Sequence, residues 1–166
     1  MAYPTTSELA NKLTSRKVLF SLLAGLGASS IHLVLMELKH RTGILPEFDP
    51  YSDLQRMLSS VASPAIDTSW VWLLTYINGA MLLGFLFGQI FPYLPSKNVF
   101  IKGTMFGVFS WLLLGLVFLP LIGSGPFAYA LGLGAMPALL MLAMLMVYSI
   151  AVSLLYAKLT RTADTA

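Results

Sequence analysis

The sequence predicts an all-α fold: an integral membrane four-helix bundle with a short interfacial helix in its first loop. Three observations lead there. Of 166 residues, 57 % are hydrophobic and only 10 % charged, against about 25 % charged in a soluble domain. Mean hydropathy is +0.80. The charges bracket uncharged runs of 19 residues (Lys17 to Glu37), 29 (Asp67 to Lys97) and 55 (Lys102 to Lys158). A spanning helix needs about 20 mostly apolar residues, and a charge at bilayer centre costs about 2.5–3.5 kcal/mol. The first two runs therefore hold one helix each and the third holds two. The runs do not alternate, which excludes a transmembrane barrel.

Residues 1–17 read as an N-terminal tail, 18–157 as one transmembrane domain and 158–166 as a C-terminal tail, with helices over about 18–38, 70–91, 103–122 and 135–157. In the first helix, Lys12–Lys17 followed by Val18–Ala28 also fits a signal peptide cleaved near Gly27-Ala28-Ser29. The apolar run continues through Ile31, Leu33, Val34, Leu35 and Met36, beyond a usual signal core, and favours a helix. In the loop that follows, Asp49-Pro50 reads as an N-cap and first helical residue. Tyr51, Leu54, Met57, Leu58 and Val61 share one face there, opposite Ser52, Asp53, Gln55, Arg56 and Ser59, with a stop before Ser63-Pro64. That pattern suits a helix lying on the membrane surface or docking a partner. Trp70 and Trp72 open the second helix and Tyr93 follows it. Pro120, Gly123, Ser124, Gly125 and Pro126 turn the chain between the third helix and the fourth, with Tyr129 beyond.

Seven lysines and arginines (Lys12, Arg16, Lys17, Lys97, Lys102, Lys158, Arg161) fall on one side and three (Lys39, Arg41, Arg56) on the other, so both termini are expected in the cytoplasm. Small residues recur at four-residue spacing: Ser21, Gly25 and Ser29, then Ala80, Gly84 and Gly88, then Gly103 and Gly107. Helices in lipid associate by close packing, so these stripes are the expected contact faces.

Polar groups inside a membrane are where function is sought. His32 and Asn78 fall at similar depth in the first two helices, with Glu37, Thr75 and Tyr76 nearby, and form a candidate cluster His32, Glu37, Tyr76, Asn78. It reads as structural glue or as a small outward-facing polar pocket. Glu37-x-x-His40 has the spacing of a diiron motif but lacks the second pair and the further glutamates. His32 and His40 share one helix and cannot clamp one haem iron, and the methionines of the last helix (Met136, Met141, Met144, Met146) suit packing better than ligation. No metal and no cofactor is expected. Without cysteine there is no disulfide or thiolate site, the small net charge of +3 gives no nucleic-acid footprint, and no phosphate loop or nucleophile triad is present. Few polar residues on the last two helices argue against a charged substrate.

Met36-Glu37, the run Leu45-Pro46-Glu47-Phe48-Asp49-Pro50, the tract Lys102-Gly103-Thr104-Met105-Phe106-Gly107 and the turn Pro120-Leu121-Ile122-Gly123-Ser124-Gly125 together resemble a family of small bacterial four-helix membrane proteins known as a domain of unknown function. The likeness covers roughly residues 30 to 157. It implies a bacterial inner-membrane protein with this helix count and outer loop, and supplies no catalytic residue. Some relatives have a histidine in the last helix where this chain has Met144 or Tyr148, which further weakens a haem or metal proposal.

The expected function is non-enzymatic: a structural or accessory subunit of a larger inner-membrane complex, with the lipid bilayer and a membrane-protein partner or a second copy as neighbours. The alternative is a small carrier or channel for a neutral or lipophilic molecule, built on the outward-facing cluster.

Overall fold

The computed structural model describes residues 6–61 and 67–164, and among them the chain is helical with no strand. Helix α1 (Thr6–Thr42) is followed by α2 (Pro50–Val61). Next, α3 (Thr68–Ile77) passes through a π-helical turn (Asn78–Leu83) into α4 (Gly84–Ile90) and a 3-10 turn (Phe91–Tyr93). Helix α5 (Val99–Leu113) continues through a second π-helical turn (Leu114–Phe118) into α6 (Leu119–Leu121). After a 3-10 segment (Pro126–Leu131), α7 (Met136–Asp164) closes the chain. Three of the described helices are long and apolar enough to cross a membrane: Ser15–Thr42, Val99–Leu121 and Met136–Thr162. Met81–Tyr93 is apolar but shorter.

The helices outrun their apolar stretches because flanking charges find partners along them. Expected to stop at Leu38, α1 continues to Thr42. Lys39 Nζ donates to Phe48 O at 2.7 Å, and Arg41 Nε pairs with Glu37 Oε1 one turn back at 2.7 Å. Gly43, at φ +64°, then ends it: its N–H bonds His40 O while Ile44 N–H bonds Lys39 O, a Schellman closure. Helix α5 starts at Val99 rather than Gly103, because Asn98 caps it by accepting from Phe100 N at 2.8 Å. Lys102, now inside the first turn, reaches sideways to Phe91 O at 2.6 Å with its ammonium 4.0 Å from the Phe91 ring centre. The expected stop at Ser63-Pro64 lies outside the described residues, as do the side chains of Lys12, Tyr51, Val61, Trp72, Thr75 and Ala80.

Antiparallel packing follows from the small residues. A Cβ on Gly84 would stand 2.8 Å from Gly25 Cα and 2.9 Å from Ser21 O, so α4 and α1 touch backbone to backbone there. Gly88 lies against Ser21 and Gly79 against Ser29. On α5, Gly103 faces Ile150 Cα and Ser149 O of α7, and Gly107 faces Met146 and Ser149. Helix α7 thus packs between α5 and α1, and α1 carries the path from α3 to α4. The core at one end joins Ala24 and Ala28 to Phe87, Phe106, Val152 and Tyr156. Phe87 meets Phe106 at 5.0 Å and Tyr156 at 5.8 Å, both edge-on. At the other end Phe48, Leu119, Ile122 and Ala128 form a cluster onto which Leu54 and Met57 of α2 pack.

The polar side of α2 differs from expectation at one residue. Asp53 is buried: Ser124 Oγ donates to Asp53 Oδ2 at 2.7 Å, and Arg56 pairs with the other oxygen. Gly123 (φ +87°) and Gly125 (φ +73°) place Ser124 in the turn that receives it. Periodicity put Asp53 with the solvated residues because it cannot register that a hydroxyl from a distant turn meets the carboxylate.

Candidate functional site

Beneath α2 lies a cavity of about 140 Å³. Its floor and sides are α1 and α7, with Ser29, His32, Leu33 and Met36 on one and Met141, Met144, Leu145 and Tyr148 on the other. Phe48, Pro50 and Leu54 roof it, and Lys39 stands at that edge with its ammonium engaged by Phe48 O. Both π-helical turns open onto it: Asn78, Gly79 and Leu83 come from the first, Leu114 and Phe118 from the second. A π turn widens the helix and misaligns its carbonyl ladder, which makes backbone available to neighbours. Gly79 O takes the N–H of Gly84 along its own helix and also the Tyr148 hydroxyl at 2.6 Å. Having no side chain, Gly79 lets α1 come close, since a Cβ there would stand 2.8 Å from Ser29 Oγ.

His32 places an imidazole on this chamber. Its ring meets Tyr148 edge-on, with centroids 6.3 Å apart and planes at 87°. Its Nδ1 is buried with no hydrogen-bond partner. Tyr148 has spent its proton on Gly79 O, so it leaves the imidazole unanswered. The other described lining residues are mainly apolar, with Ser29, Tyr76 and Asn78 as polar exceptions, and the ionic side chain among them, Lys39, is held at the roof. Ser29 Oγ, also on the lining, is likewise buried without a hydrogen-bond partner. Among the described residues no group of three or more histidine, aspartate or glutamate side chains is placed to hold a metal.

Of the four residues proposed as a polar cluster, His32, Tyr76 and Asn78 all line the cavity. Tyr76 turns its hydroxyl to Ser30 Oγ at 3.2 Å on the exposed side of α1. Glu37 does not join them. It is exposed and ion-paired with Arg41, because one turn along a helix brings opposite charges together and keeps both in water. Among the small-residue positions, Ser21, Gly25, Ser29, Gly84, Gly103 and Gly107 are buried and Gly88 half-buried.

Sequence reasoning missed Tyr148 as a site residue. A signal existed: aromatic rings with a polar tip favour helix ends in membranes, and Tyr148 stands in the middle of α7 among Met144, Leu145 and Val152. A hydroxyl at that depth needs an acceptor. The acceptor, a backbone carbonyl in a π turn, leaves no mark in the sequence.

Fold and chamber together define a class: a protein whose described residues are helical, with helices of membrane-crossing length and apolarity, around a partly open, mostly apolar chamber that holds an unanswered imidazole. The chain belongs to DUF6789, a family of unknown function, which it matches over residues 15–166. No curated protein and no solved structure matches it.

Proposed function

We propose that this is a multi-pass bacterial inner-membrane protein with four crossings and both termini cytoplasmic, whose outer chamber binds a small, neutral, lipophilic molecule carrying a hydroxyl group. The fourth crossing is the continuous helical path from α3 to α4. The orientation rests on the seven-to-three division of lysine and arginine. The observation that carries the binding reading is the buried, unpartnered Nδ1 of His32 in a chamber of about 140 Å³. Leaving such a group unmet costs about 1–3 kcal/mol, so its presence calls for a ligand-borne partner. A hydroxyl both donates and accepts, and so answers Nδ1 in either imidazole tautomer. An apolar cavity of about 150 Å³ accommodates benzene, which sets the scale at one ring or a short branched chain.

Fluorine NMR on the protein in lipid nanodiscs, with 4-fluorophenol and fluorobenzene as probes, tests this. Protein-dependent broadening of the phenol beyond that of fluorobenzene is expected, and His32→Leu should erase the difference. Equal behaviour of the two probes with the wild-type chain overturns the reading. Flux of the bound probe across proteoliposomes then separates a carrier from a binding protein.

The accessory-subunit reading draws its support from α3, whose Trp70, Leu73, Leu74 and Ile77 are exposed large hydrophobics. A membrane subunit could cover them as well as lipid does. Extraction in mild detergent as a lone monomer would remove that second reading without touching the first.

A further inference from the structure

The end of the molecule away from the chamber carries a second concavity, of about 510 Å³, between the start of α5 and the last turns of α7. The two helices are tied there by Ser153 Oγ donating to Val99 O at 2.6 Å. Three cationic side chains from two separate elements line it: Lys97 from the connection before α5, and Lys158 and Arg161 from α7. Among the described residues, no acidic side chain lines it. Phe100 and Leu154, both exposed large hydrophobics, border it on the side where the helices become apolar. Basic groups beside an apolar wall, at the point where a helix leaves its hydrophobic stretch, match the two parts of a phospholipid.

We infer that this concavity binds the phosphate of an anionic phospholipid, with Lys97 and Lys158 holding the headgroup and an acyl chain lying along Phe100 and Leu154. Each basic side chain near such a phosphate contributes on the order of a fivefold preference for the anion. The inference does not depend on the chamber at the other end, because its residues and its ligand are different.

Native mass spectrometry of the full chain in mild detergent gives the test, with dioleoyl-phosphatidylglycerol and dioleoyl-phosphatidylcholine offered in equal amounts. Retention of the anionic lipid over the zwitterionic one is expected. The exposed pair Lys97→Gln/Lys158→Gln should lose on the order of tenfold or more of that preference. Arg16→Gln/Lys17→Gln removes two charges from the same side of the protein but outside the concavity, and should keep the preference. Displacement by millimolar inorganic phosphate would assign the site to free phosphate, and persistence of the lipid would assign it to the headgroup. Equal retention of both lipids, no loss in the first variant, or an equal loss in the second overturns the inference.

Discussion

His32 and Tyr148 share one chamber and differ in how their polar atoms are met. The tyrosine hydroxyl is satisfied by Gly79 O, so Tyr148→Phe removes one hydrogen bond. Gly79 O keeps its bond from Gly84, and a loss of only about 1 kcal/mol is expected from thermal unfolding in detergent. The histidine is unsatisfied, so His32→Leu should leave the melting temperature unchanged or raise it by the equivalent of about 1–3 kcal/mol. A marked fall would show that the imidazole holds the helices together. Far from both, the Asp67 carboxylate accepts from Ser69 N at 2.8 Å at the start of α3. The side-chain and backbone hydrogen bonds from Ser69 hold its pKa below the ordinary aspartate value. A carboxylate with a lowered folded value stabilises above its unfolded value, and the effect fades as pH falls through the folded one. A carbon NMR titration of Asp67 should find its midpoint below that of an unstructured peptide.

Among the elements, the contact between α1 and α4 is the most intolerant of added volume. Gly84→Leu would drive a side chain into the Gly25 backbone, which cannot give way. A destabilisation of about 1–3 kcal/mol is expected, read as a lower melting temperature in detergent. Unchanged stability would mean the two helices do not meet as closely as they do here. The pairing of small residues was legible from four-residue spacing, because close approach in lipid needs small side chains. The helix extents were less legible. Charge gaps find where a helix is apolar, whereas Lys39, Lys102 and Lys158 lie on helical turns beyond that point. The two π-helical turns were not legible at all. Leu114–Phe118 has the composition of any apolar helix, and the packing of the Phe127 ring over Gly115 that accompanies the change in winding comes from a later segment.

For the whole molecule, the tie between α2 and the turn before α7 decides whether the chamber is roofed. Asp53→Ala removes a buried charged acceptor of Ser124, an interaction of about 1.5–3 kcal/mol. Arg56, largely exposed, stays solvated. Hydrogen exchange over residues 50–61 should accelerate while α7 keeps its protection. Equal exchange in both proteins would show that Leu54 and Met57 hold α2 unaided. The helical, strongly apolar character was readable from composition and charge spacing, because about 20 uncharged, mostly apolar residues without alternation suit a long apolar helix. The joining of Asp53 to Ser124, 71 positions apart, was not, since neither residue is unusual where it stands.

The length of α1 has a mechanical consequence. Its 37 residues span about 55 Å, nearly twice the roughly 30 Å of a hydrocarbon core. Only the 19 uncharged residues between Lys17 and Glu37 suit such a core, so the charged turns at both ends of α1 must stand outside any bilayer that the helix enters.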